Sequence, residues 1–485
     1  MSLSIQRYDE SEESDHTEPT FKTPSSLLPQ PALKTNALLL FILTNGPAFF
    51  YLPWRAKLSG IFLTIIVIII TSCASYMSSQ MLYFGYRATK AKSYDEVMRK
   101  VMGGMIGYLS NWVMLAHTMA AVISSWIFSY KFLVVGLFEE NSAVSIEYAE
   151  HFKLLYFLGT FLMVFYVTLR SNVDRLKPFT FVGVLILAYI VIVFASESSA
   201  YHNYYSVKEP LEVKWAVLDH HIIKTFGICS YLFTNQYSII PLVDKIEKHN
   251  LKRVNFILSS TTVSLIILYI LIIFIGYFSL PNIRELNVLD RHFLMRKAIP
   301  ERSDDLIIIG RCLFGVYLLL CLLIKVYFLM LYFSTMIDQT KLIMEKKVKI
   351  NGPSTNPESI PHDIEYSQIN QSKPLDTAKD IEQTKLKETS VVDEDQRQMI
   401  YNFFFIGGIC LLSMRLLDHL SSFLCLAGSI VGMFEMIILP LMMAIWLDRT
   451  KKKMSFRKKV VLVCGASVFL VLCTSSFILS IRSGM

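Results

Sequence analysis

Eleven long apolar runs constrain the fold of this 485-residue chain more than any other feature. A hydrocarbon layer about 30 Å thick needs roughly 20 apolar helical residues to cross it, and the runs are of this length. Backbone groups in lipid must pair within their own segment, which favours helices. The sequence therefore predicts an all-α integral membrane protein with eleven transmembrane helices. The predicted spans cover 36–56, 60–85, 105–137, 153–170, 177–197, 222–243, 254–280, 305–336, 399–417, 420–447 and 459–481.

Polar segments divide the chain into four predicted parts. Residues 1–35 are polar and acidic and form a predicted disordered cytosolic tail. Spans one to eight occupy 36–337, a predicted disordered cytosolic loop occupies 338–397, and the last three spans occupy 398–485. Lys and Arg are concentrated in the loops on the side of the N-terminus, which predicts a cytosolic N-terminus. A plasma membrane and a vacuolar or lysosomal membrane both fit this sequence.

Composition and motifs argue against several classes of protein. The net charge of +8 is spread over short loops instead of a basic tract, so we expect no nucleic-acid partner. The eight cysteines fall inside predicted spans without metal-ligand spacing, so we expect neither a metal nor a cofactor. No nucleophile elbow or phosphate loop indicates an enzyme. The acidic tail is compatible with a protein partner or with solvated chain.

The stretch LTNGPAFFYLPW, residues 43–54, interrupts the first span. Gly and Pro disfavour helix interiors, and a break at membrane depth is tolerated where it is buried in protein or lines a cavity. The sixth span, FGICSYLFTNQYSIIP, also carries a polar stretch before Pro241. In secondary transporters, paired discontinuous helices of this kind hold the substrate. The alternative is a pair of simple kinks, because Gly and Pro are common in membrane helices.

The stretch NGPAFFYLPWRAKLSGIF resembles the opening signature of the amino acid/auxin permease family, which includes system A/N-type and proton-coupled amino acid transporters. The stretches KSYDEVMRKVMGG, FTNQYSIIPLVDKIEK and LAGSIVGMFEMIILPLMMA continue the likeness in order along the chain. The resemblance implies a LeuT-like fold with a 5+5 inverted repeat plus one extra helix. It also implies coupled transport of amino acids across the lipid bilayer.

On this resemblance, the amino acid substrate is expected between the two breaks. Backbone around the first break would face the substrate carboxylate, and the second break would supply carbonyls for the ammonium group. The expected substrate-binding residues are Asn45, Gly46, Pro47, Ala48, Cys229, Ser230, Tyr231, Thr234 and Asn235.

The coupling ion is expected to be a proton. The family's usual sodium-site positions match Ile42 and Leu319 or Cys321, whose side chains offer no hard oxygen ligand. Lys325 in span eight and His117 in span three are ionisable residues at membrane depth and are the proton-coupling candidates. The alternatives are a Lys325 side chain that snorkels to the cytosolic face and a His117 that serves packing through a hydrogen bond.

These observations predict a secondary active amino acid transporter that works by alternating access and is driven by protons. The alternative function is an amino-acid sensor. Such a sensor would bind an amino acid and signal through its cytosolic tail and the 338–397 loop.

Overall fold

The computed structural model describes residues 31–91, 93–135, 145–170, 177–206, 213–244, 246, 251–279, 305–351, 397–417, 419–450 and 456–484. Over these residues the chain forms helices joined by short connections and contains no strand, which confirms the all-α prediction. The helices are α1 (Pro31–Thr44), α2 (Leu52–Ser59), α3 (Ile61–Thr89), α4 (Tyr94–Met102), α5 (Gly104–Tyr130), α6 (Ser145–Arg170), α7 (Lys177–Ser206), α8 (His220–Phe233), α9 (Gln236–Asp244), α10 (Leu251–Ser279), α11 (Asp305–Asn351), α12 (397–415), α13 (Leu420–Met433), α14 (Leu439–Thr450) and α15 (Phe456–Gly484). A 3-10 segment (Pro47–Tyr51) precedes α2, and π-helical turns follow α5 (Lys131–Val135) and α13 (Phe434–Ile438).

Helix length and hydropathy support a multi-pass membrane protein. Within the described residues, six helices are long and apolar enough to cross a membrane, or seven if the bent pair around residues 45–46 forms one span. Each of the eleven predicted spans coincides with helix, but the number that crosses the membrane stays a prediction.

The outer surface of α6 has the character of a lipid-facing helix. Leu154, Leu158 and Leu162 are each more than half exposed, and their spacing of four residues places them on one face. A continuous exposed apolar face of this kind needs an apolar environment, and a bilayer provides one. The apolar surface of the bundle therefore fits a membrane protein.

Small residues allow α8 and α13 to pack closely. Gly428 and Gly432 are four residues apart on α13, and both face α8. A Cβ atom at Gly428 would overlap the carbonyl oxygen of Gly227, and one at Gly432 would lie 2.8 Å from the Ser230 Cβ. Glycines at this spacing let the backbones of membrane helices approach one another. The close packing fixes α8, which leads into the second break.

Two predicted boundaries differ from the structure. Helix α1 begins at Pro31, inside the predicted tail of residues 1–35, because proline is well suited to the first turn of a helix. Helix α11 continues to Asn351, so the prediction that a disordered loop begins at 338 is wrong. Residues 338–351 contain Lys, Glu, Met and Leu, which have high helix propensity. Residues 1–30 and 352–396 lie outside the described residues.

Candidate functional site

The first break lies between α1 and the 3-10 segment. Asn45 and Gly46 have no helical assignment, and the two parts of the span are bent by 54°. Gly46 is extended, at φ −79° and ψ 164°, and Pro47 begins the 3-10 segment. A Cβ atom added to Gly46 would meet nothing within 4 Å. The chain therefore opens at this position and leaves space beside Gly46.

Asn45 carries an unusual side chain for a membrane interior. It is 1% exposed, and among the described residues neither its Oδ1 nor its Nδ2 atom has a hydrogen-bond partner, although the Tyr317 hydroxyl lies 3.5 Å from its backbone carbonyl oxygen. An unpaired buried amide costs free energy, because it loses its hydrogen bonds to water without replacement. The Asn45 amide thus has hydrogen-bonding capacity that the described part of the protein does not use.

The second break separates α8 from α9 at Thr234 and Asn235. The Asn235 backbone amide donates to the Gln236 side-chain oxygen at 2.9 Å in place of a helical carbonyl. Thr234 is extended, with ψ at 121°. Pro241 lies inside α9, six residues beyond the break, so the unwinding lies in the polar stretch before the proline.

The two breaks touch each other. The Asn235 Nδ2 donates to Thr44 Oγ1 at 3.0 Å, and Thr44 is the last residue of α1. The same hydroxyl donates to the Leu40 carbonyl at 2.7 Å, so its hydrogen-bonding capacity is used on both sides. This contact joins the unwound parts of two helices that are 191 residues apart in sequence.

Three serines on one face of α3 connect the second break to the π-helical turn that follows α13. Ser75 donates to the Phe233 carbonyl at 2.5 Å, and Ser79 approaches the Asn235 Oδ1 at 3.5 Å. Ser78 donates to the backbone carbonyl of Glu435 in the turn. The three residues are spaced three and four apart, which places them together on a helix surface.

Glu435 and His117 form a buried acid–base pair. The His117 Nδ1 lies 2.7 Å from Glu435 Oε1, with side-chain exposures of 2% and 0%. The ring of Tyr237 in α9 packs edge-on against the His117 ring at 4.8 Å between centroids. The second carboxylate oxygen of Glu435 has no described partner. A titratable pair therefore lies beside the helix that follows the second break.

Lys325 belongs to α11, and its side chain reaches α5. Its Nζ donates to Ser125 Oγ at 2.9 Å, and the residue is 2% exposed. The predicted alternative of a snorkelling side chain is therefore wrong, because the amine is held inside the bundle by α5. No carboxylate in the described part of the chain lies within ion-pair distance of it.

The predicted substrate residues lie in unwound, 3-10 and α-helical backbone. Asn45 and Gly46 at the first break and Thr234 and Asn235 at the second are unwound. Pro47 and Ala48 lie in the 3-10 segment, which they begin.

Cys229, Ser230 and Tyr231 lie inside α8, before the unwound residues, and their role in substrate binding stays a prediction. The Ser230 carbonyl accepts from the Thr234 amide at 3.2 Å, and the Tyr231 carbonyl accepts from the Thr234 hydroxyl at 2.9 Å. The Tyr231 hydroxyl pairs with Ser124 at 2.7 Å. The helix persists because it has no glycine or proline between Cys229 and Phe233.

Glu435 was missed among the candidate residues. A carboxylate within the apolar stretch GSIVGMFEMIILPLMM is a functional signal by itself, because charged groups are rare at membrane depth. Its partner His117 is 318 residues away in sequence, so the pair is visible only in the fold.

Comparison with known proteins identifies a family. The model of the family described as "Transmembrane amino acid transporter protein" matches residues 34–482. A curated relative from Plasmodium falciparum (isolate 3D7), named as a candidate amino acid transporter, AAT1, is 22% identical over 264 residues. That match covers 52% of this chain and 41% of the relative, so the chain matches less than half of the relative's length.

Solved transporters show weaker similarity over most of the chain. A Na⁺-coupled sialic acid symporter in a substrate-bound outward-open state has a TM-score of 0.49 at 11% identity. The alignment covers 93% of this chain and 90% of the symporter chain. A manganese transporter from Eremococcus coleocola has a TM-score of 0.44 at 12% identity and covers 94% and 95%. Scores below 0.5 do not establish a shared fold, so the family match carries the assignment. This match covers nearly the whole helical region, and the chain belongs to the transmembrane amino acid transporter family.

Proposed function

We propose that this chain is a secondary active transporter of amino acids that works by alternating access and is driven by protons. The observation that carries the proposal is the contact between the two breaks. Asn235 binds Thr44 at 3.0 Å, while the next residue, Asn45, keeps a buried amide without a partner. Substrate sites of secondary transporters lie where such discontinuous helices meet near the bilayer midplane.

The ends of the broken helices suit the two charged groups of an amino acid. The segment that begins at Pro47 presents its first backbone amides at a helix N-terminus, where partial positive charge favours a carboxylate. The Asn45 Oδ1 lies at the C-terminal end of α1 and is free to accept from an ammonium group. A Cβ atom at Gly46, the residue between Asn45 and Pro47, would meet nothing within 4 Å. An amino acid zwitterion would therefore fit across the first break.

The two breaks also support the proposed repeat. The first break divides span one, and the second divides span six, five spans later. In an inverted repeat of five helices these positions correspond. With a cytosolic N-terminus, α2 and the start of α8 lie in the outer half of the membrane, and α1 and α9 lie in the inner half. Rocking of these half-helices would open the substrate site first to one side of the membrane and then to the other.

Proton coupling is supported by the pair of His117 and Glu435. Both groups are buried, and a proton moved onto or off the pair changes its charge in a medium that penalises charge strongly. Contact with Tyr237 places the pair against the helix that follows the second break. Protonation would therefore alter the packing of the helix that carries the substrate site. Lys325 is a second candidate, because within the described residues its amine donates to the Ser125 hydroxyl and has no carboxylate at ion-pair distance.

Uptake by the purified protein in proteoliposomes tests the function. Labelled amino acids, presented as a panel, should accumulate when an inward proton gradient is applied, and replacing sodium should have no effect. Accumulation that requires sodium would refute the coupling. A complete lack of uptake for every amino acid in the panel would refute the transport function.

The variant Glu435→Gln separates proton coupling from substrate binding. We expect it to lose gradient-driven accumulation but to keep exchange of labelled for unlabelled amino acid, because exchange needs no net release of a proton. Glu96→Gln is the matched control, since Glu96 is a partly exposed carboxylate that pairs with Lys100 at 2.7 Å on the surface. Unchanged accumulation by the Glu435 variant would remove the pair from the coupling mechanism.

The sensor alternative stays a hypothesis. Its signalling parts, the N-terminal tail and most of the 338–397 loop, lie outside the described residues. Deleting both segments should leave uptake largely intact if the protein is a transporter.

A further inference from the structure

Arg55 is a buried cation with no carboxylate at ion-pair distance among the described residues. It lies on α2 and is 3% exposed. Its Nη2 reaches the Cys425 sulfur at 3.5 Å, its Nε has no partner, and its guanidinium lies 4.6 Å from the ring centroid of Trp54. Within the described residues no oxygen atom accepts from this side chain. Arginine is rarely buried unless it is paired, because the desolvation of a charge is costly.

The groups around Arg55 do not neutralise it. The thiols of Cys229 and Cys425 and the hydroxyl of Tyr51 lie around the guanidinium. Thiols are weak hydrogen-bond acceptors, so the Cys425 contact replaces little of the lost hydration. A stacked tryptophan contributes cation–π attraction but adds no negative charge.

The nearest acidic residue on the neighbouring helix is already engaged. Asp219 caps α8 by accepting from the His221 amide at 2.8 Å, and its other oxygen lies 3.9 Å from the His221 ring. Lys224 follows on the same helix and adds positive charge. Burial lowers the pKa of His221, and the charges of Arg55 and Lys224 also lower it, whereas Asp219 opposes the shift. Asp219 is thus engaged within its own helix and forms no ion pair with Arg55 in the described part of the chain.

The position of Arg55 relates it to both breaks. It follows Gly46 by nine residues, on the half-helix that leaves the first break. Cys229, beside it, precedes the second break by five residues on α8. Five helical residues rise about 7.5 Å, so Cys229 lies within about two turns of the second break. Arg55 lies farther from the first break, at the other end of the 3-10 segment and the first turn of α2.

We propose that Arg55 is the centre of an anion-binding site that takes a small monovalent anion, either a substrate carboxylate or chloride. Its planar donors match a carboxylate in two parallel hydrogen bonds, and its charge attracts a halide equally well. The role in the substrate path rests on the proposed transport function. If the N-terminus is cytosolic, the site lies on the outer side of the breaks, where a carboxylate would be bound before it reaches Asn45.

Thermal unfolding of the purified full-length protein in detergent tests the site without transport. With gluconate as the only anion, whose polyhydroxylated chain is too bulky for a site that takes small anions, Arg55→Gln should unfold at a higher temperature than the wild type, because it removes an uncompensated buried charge. Chloride or acetate should stabilise the wild type. In the variant, the affinity for either anion should fall about tenfold or more, because a charge-assisted hydrogen bond is lost, and the stabilisation should fall with it. Lys57→Gln on the same helix is the control and should respond to anions as the wild type does.

The two sources of the anion give different transport results. If chloride is the ligand, uptake by the wild type falls when gluconate replaces chloride. If the substrate carboxylate is the ligand, the rate of uptake does not depend on chloride. Arg55→Gln then raises KM about tenfold and leaves the maximal rate unchanged. Arg55→Lys keeps the charge and should retain part of the anion effect in either case.

Two outcomes would overturn the site. One is a lower unfolding temperature for Arg55→Gln in gluconate, which would mean that Arg55 has a stabilising partner in the protein. The other is equal stabilisation of the wild type and Arg55→Gln by both anions. Anion binding that depends on Arg55 in a protein that transports no amino acid would support the site and refute the proposed function, so the two failures are distinguishable.

Discussion

The close packing of α8 on α13 makes Gly428 a sensitive position, and Gly428→Ala is the substitution that tests it. The new methyl group would overlap the Gly227 carbonyl oxygen and lie 2.8 Å from the Tyr231 Cβ and 3.0 Å from the Gly227 carbonyl carbon. Carbon atoms in contact normally stay about 3.5–4.0 Å apart. Backbone atoms cannot rotate away, so the helices must separate.

The expected loss follows from two opposing effects. Overpacking of this kind costs about 3 kcal/mol at the upper end of its range, because backbone atoms are involved. Alanine gains about 1 kcal/mol over glycine in a helix. The net destabilisation is therefore about 2 kcal/mol, or roughly 30-fold in the ratio of folded to unfolded protein.

Equilibrium unfolding in mixed detergent micelles measures this difference. The matched control is Gly408→Ala on α12, where a Cβ would meet nothing within 4 Å, so the same substitution should be neutral or slightly stabilising. Equal stability of the two variants would refute the close approach of α8 and α13. It would also weaken the placement of the second break, because α8 carries it.

Three further substitutions test the site. Gly46→Ala places a methyl group in open space at an ordinary φ of −79°, so stability should be unchanged while KM for uptake rises about tenfold or more, as one methyl group in a binding pocket can produce. Gly159→Ala, which is also unobstructed but lies inside α6, should leave KM unchanged and be neutral or slightly stabilising. Asn235→Ala removes the bond to Thr44 and should destabilise the protein by about 1 kcal/mol, measured by detergent unfolding, with a larger loss of uptake; normal uptake would separate this contact from the substrate site. Lys325→Met with Ser125→Ala removes a buried amine and its acceptor, so the protein should remain folded, and accumulation that still follows the proton gradient would exclude Lys325 as the coupling group.

The first break was predictable from the sequence, whereas the second was predictable only in part. Gly46 and Pro47 together disfavour helix at one place, and the structure unwinds there. At the second break no glycine or proline is present, and the Gln236 side chain replaces a helical acceptor for the Asn235 amide. Competition between a polar side chain and the backbone depends on local geometry, so composition indicated the region but not the residue.

The contact between His117 and Glu435 could not be predicted from their spacing in the sequence. His117 was identified as an ionisable residue at membrane depth, but its partner Glu435 lies on a distant helix. Nothing in the local sequence of either residue indicates the other, because tertiary packing of α5 against the end of α13 brings them together. The end of α11 at Asn351 was missed because a polar composition was taken as a sign of disorder, although its residues are good helix formers.

The three α3 serines have a mechanical consequence for energy conversion. Ser75 and Ser79 hold the second break, and Ser78 holds the backbone of Glu435, all from one rigid helix face. A helix moves as a unit, so a shift of α3 that releases one of these bonds strains the others at the same time. Under the proposed function, substrate and proton would then be bound or released together, which is the condition for a fixed ratio of protons to substrate with little leak.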